Sequence, residues 1–512
     1  MEIGHRVDPG GPRRRRPRRV IRAAVIVSLA GCLGLGGLWA WQWWRQPAGP
    51  PPAPGPGALA RTAVTAGVPA ALPDLVVLIG EQEARLRTHP RDARAWAVLG
   101  AAYVERGRRL ADATFYPTAE RALRTSLKVR PRANASALEG LAALANARRD
   151  FPAARTWAEA ARKADGTRWT TYPQLIDAYT GLGDHKAVER PLDRLMELRS
   201  GAAVRARAGA VYRDKGWRED ATAALWEAAA QAEQPAERAA WLERCGQLAF
   251  ERGDREVALR YFREALRVDP AQWAARAGQA RALAALGRTS EALSGYRAAL
   301  AGQPSPEYAL ELGELYESLG LAQDARAQYD LLRAQVRNAA ADGVDGALPL
   351  GRLEADHGDP GEAVRGLRAQ FRRQPSTAVA DALAWALHRA AVAGVTDVAD
   401  GDVVEAEKEA LRLAVRATES KHGGGVRSAL YAYHRGMIEK SLGREGPARR
   451  HLDEALQINP YFSPLHAPKA RAALTALGKP SVTEMPEGVT PGVPAGAWVG
   501  ASVGEVAGGG AP

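Results

Sequence analysis

A chain of 512 residues with a formal charge of +12 invites a nucleic-acid reading, but the placement of that charge argues against one. Residues 1–22 hold eight arginines against Glu2 and Asp8, which puts half of the excess in a short tail. A nucleic-acid footprint needs a basic stripe on the folded part, and none is expected here. The two cysteines, Cys32 and Cys245, lie too far apart in the organisation described below for an intrachain disulfide.

Residues 1–22 read as a basic cytoplasmic tail. Residues 23–44 follow without a charge, long enough for a helix to span a bilayer. The basic flank places the N-terminus inside and the rest of the chain outside, with Trp39, Trp41, Trp43 and Trp44 as an interfacial belt. Ala24, Ser28, Cys32, Gly36 and Ala40 recur at every fourth position, a row of small residues that lets membrane helices pack closely. Self-association or pairing with another membrane protein is the expectation drawn from it. A second reading stays open: Leu29-Ala30-Gly31-Cys32 is similar to a lipobox, in which the cysteine becomes lipidated after cleavage. Residues 45–73, rich in proline, alanine and glycine, are expected to form an extended semi-rigid spacer.

From residue 74 to residue 478 the chain repeats. Asp74 can cap a helix over about 75–88. Trp96, Leu99, Gly100 and Tyr103 precede a stop at Pro131. Pro270 and Pro304 lie 34 residues apart, and between them Gly253 recurs as Gly287, Ala258 as Ala292, Phe262 as Tyr296 and Ala265 as Ala299. This pattern resembles the tetratricopeptide repeat. The resemblance implies an all-α, right-handed superhelical solenoid of about ten helix–turn–helix units, starting near 93, 135, 169, 202, 239, 273, 306, 344, 377 and 429. Turn glycines are expected at Gly183, Gly216, Gly253, Gly287, Gly320, Gly358 and Gly443, where a left-handed backbone ends the first helix. Ala154, Ala221, Ala258, Ala292, Ala325, Ala363 and Ala448 should let the paired helices approach. By this register Cys245 falls in the core as an inert thiol. The spacing is broken near residues 111–117, 338–345 and 394–403, which read as inserted loops. A helix over 463–477 should cap the array, and residues 479–512 read as a disordered tail.

Catalytic motifs are lacking. The nine histidines form no H-x3-H or H-E-x-x-H pattern, and the register gives them no common site. No C-x-x-C, G-x-S-x-G or phosphate-loop pattern occurs, so neither an enzyme nor a metal or other cofactor is expected. The resemblance instead implies a concave groove lined by first-helix positions: Glu139, Asp177, Arg207, Arg213, Glu243, Gln247, Arg281, Glu307, Glu314, Glu317, Arg352 and Met437. Repeat proteins that clamp a chaperone carboxylate use lysine and asparagine where this chain has Ala97, Ala101 and Gly140, which argues against that ligand class. The expected function is a membrane-tethered, extracytoplasmic scaffold holding a protein or peptide in the groove. The alternative is a chaperone for an exported protein, because Glu83-Ala84-Arg85-Leu86 leading into Trp96 is similar to the repeat subunits of cytochrome c maturation.

Overall fold

A computed structural model describes residues 53–395, 402–419 and 425–478. The basic tail, the apolar run at 23–44 with its row of small residues, Cys32, most of the insertion at 394–403 and the tail from 479 lie outside the described residues. Among the described residues there are 23 α-helices and no strand, and no helix is long and apolar enough to cross a membrane.

The first helix, α1 (Pro56–Ala66), falls where an extended spacer is expected. It forms because Ala60 and Ala63 find a partner: both are buried, with Val68 and Ala70, against Leu75 and Leu78 of α2 (Leu72–Thr88). An alanine-rich segment is a strong helix former once one face is covered. The spacer reading is thus corrected from Pro56 onward.

Ten helix pairs follow. They are α3 (Ala93–Leu110) with α4 (Tyr116–Val129), α5 (Ala135–Ala147) with α6 (Phe151–Ala164), α7 (Thr171–Gly181) with α8 (Glu189–Leu198), α9 (Ala202–Asp214) with α10 (Arg218–Gln231), and α11 (Pro235–Glu251) with α12 (Arg255–Val268). Then come α13 (Trp273–Ala285) with α14 (Thr289–Gly302), α15 (Pro306–Ser318) with α16 (Ala322–Ala341), α17 (Ala347–His357) with α18 (Pro360–Arg373), α19 (Thr377–Val392) with α20 (Val403–Thr418), and α21 (Ala429–Ser441) with α22 (Glu445–Ile458). The terminal helix α23 (His466–Leu477) packs on the last pair.

Local chemistry sets these boundaries. Asp92, Asn134, Asp150, Ser376 and Ser428 each accept a hydrogen bond from a backbone N–H in the first turn of the helix they precede. Gly216 (φ 78°) and Gly253 (φ 86°) close the turns within their pairs in the left-handed region, as the register requires. Gly358 does not: its φ is −149°. There the Asp359 N–H donates to Glu354 Oε2 (3.1 Å) and the Asp359 side chain caps α18, so side chains close the turn instead.

The helices of a pair approach closely because one has no side chain at the crossing. Gly209, Gly246, Gly313, Gly351 and Gly436 each lie 16 residues before a bulky residue of the second helix: Leu225, Phe262, Tyr329, Leu367 and Leu452. In every case a Cβ on the glycine would come within 3.0 Å of that side chain. Gly100 and Leu123 make the same contact in the first pair, and the short 3-10 turn at Ala113–Phe115 takes up the added residues there. The crossing alanines are all buried, Ala154, Ala221, Ala258, Ala292 and Ala448 completely. Cys245 sits among Ala221, Leu225 and Leu248, where burial pushes its thiol up to about 12.

The array then closes on itself. Arg109 Nη2 donates to Asp269 Oδ2 (2.8 Å) and its Nη1 to Gln272 Oε1 (3.3 Å). Arg148 Nε donates to the Asp342 carbonyl (2.9 Å), and the Phe151 N–H to Gln374 Oε1 (3.0 Å). His185 Nε2 meets Thr377 Oγ1 at 3.0 Å, and the Gly425 N–H donates to the Asp214 carbonyl at 2.9 Å. Asn459 Nδ2 donates to the Phe250 carbonyl at 2.7 Å. These partners are 160 to 223 residues apart, which at one unit per 34 residues is about five or six units. The turn of one pair therefore meets a junction between pairs one superhelical turn later. The polar side chains that make this seam are themselves buried: Arg109, Gln272, Gln374 and Asn459.

Two changes test the packing and the seam. Gly278 faces the Phe262 ring from the following unit, and a Cβ there would fall under 3.0 Å from it. Gly278→Ala should lower stability by about 1–3 kcal/mol through overpacking, read from chemical denaturation. Arg109→Met leaves the largely buried Asp269 without its cation and should cost about 3 kcal/mol. Small-angle scattering should show a larger radius of gyration as the seam loosens, whereas Gly278→Ala should leave that radius unchanged.

Candidate binding cavity in the concave interior

The first helices of successive pairs are tied by a ladder of polar contacts. Arg168 Nη2 donates to Glu139 Oε2 (2.7 Å), Arg207 pairs with Asp177, and Arg213 forks onto Glu251 at 2.6 and 2.7 Å. Arg281 donates to Gln247 Oε1 (2.6 Å) and forks onto Glu311 at 2.6 and 3.1 Å. Further along, His357 Nδ1 lies 3.0 Å from Glu317, Trp385 Nε1 donates to Asp356 (2.9 Å), and His434 Nδ1 lies 3.0 Å from Asp381. The forked guanidinium–carboxylate geometry fixes orientation as well as distance. Most of the charges that the register assigns to a groove thus spend their hydrogen bonds on the next unit.

Beside the later rungs lies a cavity of about 440 Å³. Its walls come from the first helices α13, α15, α17, α19 and α21, with Phe250 at one edge and the segment Pro460–Arg471 across it. Of the expected groove residues, Arg281, Glu307, Glu314 and Arg352 line it. Arg207, Arg213, Gln247 and Glu317 belong to the ladder outside it, Glu243 is buried beside Arg244, and Met437 packs against the core that holds Leu383, Tyr433 and Leu452.

The sequence register misses an important part of the wall. Asp356, Asp381, Trp385, His434 and His466 come together there. The Trp385 ring stacks on His434 at 4.3 Å and meets His466 edge-on at 5.9 Å. The two histidines that sequence scatter leaves apart are 6.2 Å from each other, centroid to centroid. Four of these residues, Asp356, Asp381, Trp385 and His434, sit on first helices, so their face was readable. His466 reaches the cluster only because the chain turns back after Asn459. Pro460 to Pro464 carry it across the end of the last pair, with the Arg255 guanidinium 4.1 Å above the Tyr461 ring. Among the described residues no group of histidine, cysteine or carboxylate side chains could hold a metal ion.

The electrostatics of the cavity are uneven. Burial opposes ionisation of Asp356, but hydrogen bonds from His466 and Trp385 and the nearness of His434 outweigh it and hold the carboxyl well below the usual range. Glu307 pairs with Arg149 at 2.6 Å and Glu311 with Arg281. Glu314 has neither a hydrogen bond nor an ion pair among the described residues. Burial pushes it up to about 8, with added repulsion from Asp356, Glu311 and Glu317. Arg352, also on the cavity wall, is likewise without a hydrogen bond or ion pair among the described residues.

A carboxyl whose pKa rises on folding makes the folded state bind more protons than the unfolded one, so stability falls as pH climbs from the ordinary carboxylate range to about 8. Glu314→Gln removes that slope. The variant should be more stable than the parent at pH 9, and the difference should close towards pH 4; thermal unfolding across that range reads it.

Residues 104–168, 246–305 and 278–340 match the family model described as tetratricopeptide repeat. No curated protein matches the chain. Among solved structures it is similar to PilF of Pseudomonas aeruginosa, at 19% identity over 43% of this chain and 97% of that one, with a TM-score of 0.32. It is similar to yeast Tom70 at 13% identity, over 74% of this chain and 96% of that one, with a TM-score of 0.32. Human IFIT1, solved as a dimer with PPP-AAAA, matches at 11% identity over 79% and 94% of the two chains, with a TM-score of 0.41. The 34-residue spacing, the paired helices and the family matches agree: residues 104–168 and 246–340 match tetratricopeptide repeats, within an all-α solenoid of helix pairs.

Proposed function

We propose that the chain is a protein-interaction scaffold that receives a segment of a partner protein in its concave cavity. The observation that carries this reading is the cavity itself. Its volume falls in the range of ordinary ligand sites, and apolar walls from Leu310, Leu348, Trp385 and Leu430 surround a few convergent polar groups. The side chains of the first helices also support it: most are locked by the ladder, so the wall is rigid before anything binds, and little ordering cost remains for the complex. No catalytic constellation accompanies the pocket. The histidines on its wall touch carboxylates and rings.

In the same reading the apolar run at 23–44 tethers the array to a membrane, with the arginine-rich tail on the cytoplasmic side. Support comes from the sequence alone: a charge-free stretch of spanning length, eight arginines before it and four tryptophans at its far end. The packing of that run against another membrane helix through Ala24, Ser28, Cys32, Gly36 and Ala40 belongs to the same proposal.

A photo-crosslinking side chain placed at Leu310 or Leu430, on the cavity wall, should trap a partner protein in cells. The same group at Trp226, an exposed residue away from the cavity, should not. Crosslinks confined to Trp226 would overturn the cavity reading. Protease added to intact spheroplasts should digest the repeats while leaving the N-terminal tail protected; protected repeats would refute the tethered topology.

A further inference from the structure

We infer that the cavity selects a basic side chain, arginine or lysine, of the segment it receives, with the Glu314 carboxyl as its counter-charge. This inference rests on the cavity being the binding site.

Most of the charge on the cavity wall is already balanced within the chain. Five carboxyl groups line the cavity against three guanidinium groups, so its wall is acidic before any ligand arrives. Four of the carboxyls are satisfied within the chain. Glu307 has Arg149, and Glu311 has Arg281 and the Tyr296 hydroxyl at 2.8 Å. Asp356 has Trp385, His466 and Arg389, and Asp381 has His434. Glu314 alone has no such partner among the described residues. An uncompensated carboxyl in a partly buried wall destabilises the fold, and natural sequences keep such groups where they serve a site.

The surroundings of Glu314 decide the sign of the ligand. The groups acting on it from its own helix and from α17 are carboxylates, Glu311, Glu317 and Asp356; the exposed Lys469 of α23 acts on it in the opposite sense and more weakly. Of the remaining cations, Arg281 is committed to Glu311, and Arg471 donates to the Pro460 carbonyl at 3.0 Å. Arg352 acts on the Tyr431 phenol, which lies towards Asp381 and Arg213. His357 lies against Glu317, and the Tyr329 hydroxyl donates to Glu317 while its ring also feels the Glu314 charge. An anionic group placed here would meet three carboxylates. A guanidinium or ammonium would find one uncommitted carboxyl and three more charges of the right sign close by. Tyr296 and Trp385 add aromatic walls for the aliphatic stem and for cation–π attraction.

A consequence separates this inference from simple apolar docking. At neutral pH Glu314 is largely protonated, so a cation must displace its proton on binding. Affinity should therefore rise as pH climbs towards 8 and beyond. His434 and His466 also line the cavity, so the share due to Glu314 is isolated by Glu314→Gln.

The test uses the full chain in detergent and two labelled pentapeptides, both acetylated and amidated. One is Ala-Ala-Arg-Ala-Ala, and the other has citrulline, the neutral isostere of arginine, at the centre. Fluorescence anisotropy at pH 8.5 should show the arginine peptide binding at least about ten-fold more tightly, the difference that 1.4 kcal/mol produces. That preference should shrink at pH 6.5, and the Glu314→Gln protein, checked for folding by circular dichroism, should lose it. Equal binding of the two peptides by the parent protein would overturn the inference. So would an undiminished arginine preference in Glu314→Gln, or no binding of either peptide at millimolar concentration. If citrulline binds as well as arginine while the Leu310 crosslinks persist, the cavity is a partner site but this selectivity is wrong. If the crosslinks fail, the reading beneath it is wrong.

Discussion

The close crossing of each helix pair is the constraint on which the rest of this structure depends. A bulky residue of the second helix lies over a glycine of the first, as Phe262 lies over Gly246 and Tyr329 over Gly313. A single pair cannot bury its own apolar face, so each unit leans on the next, and the Phe262 ring also meets Gly278 of the following unit. With the crossing and the repeat length fixed, the rotation from one unit to the next is fixed as well. The seam follows from that rotation: after about five or six units the array meets its own earlier turns.

The seam changes what an interior face can do. In an open superhelix the first-helix residues would face solvent and wait for a ligand. Here the turns are stacked, and Arg109, Gln374 and Asn459 are buried between them. The first-helix charges are drawn into contacts between neighbouring units, as Arg213 is with Glu251 and Arg281 with Glu311. Such pairs contribute modestly to stability, because desolvation offsets much of their attraction, but losing one partner is costly. They hold the wall of the cavity in one arrangement. The side chains that remain uncommitted, Glu314 and Arg352, stand out for that reason.

Much of the fold was legible in the sequence, because its signals are local and repeated. The unit starts read from the register fall within four residues of the first helices observed, from Ala93 to Ala429. The crossing alanines and Cys245 are buried as the period requires. Where the reading failed, a non-local partner or a side chain intervened. The segment from Pro56 became helical because α2 covers its alanines, and Gly358 escaped the left-handed turn because Glu354 and Asp359 close it. For the site, the register supplied Arg281, Glu307, Glu314 and Arg352. It did not supply the cluster of Trp385, His434 and His466, whose members come from different units and from the returning C-terminal segment.

The sequence by itself determined the period, the pairing of helices and which face of each is apolar. Those are properties of residues 3 to 34 positions apart, and a repeat states them many times over. Only the tertiary structure decided that the turns touch, that most interior charges are used between units, and that Pro460–Arg471 forms one wall of the cavity. The reason is geometric. A small rotation per unit, set by packing at the glycine crossings, accumulates over five or six units into contact or separation. No single unit's residues record that sum.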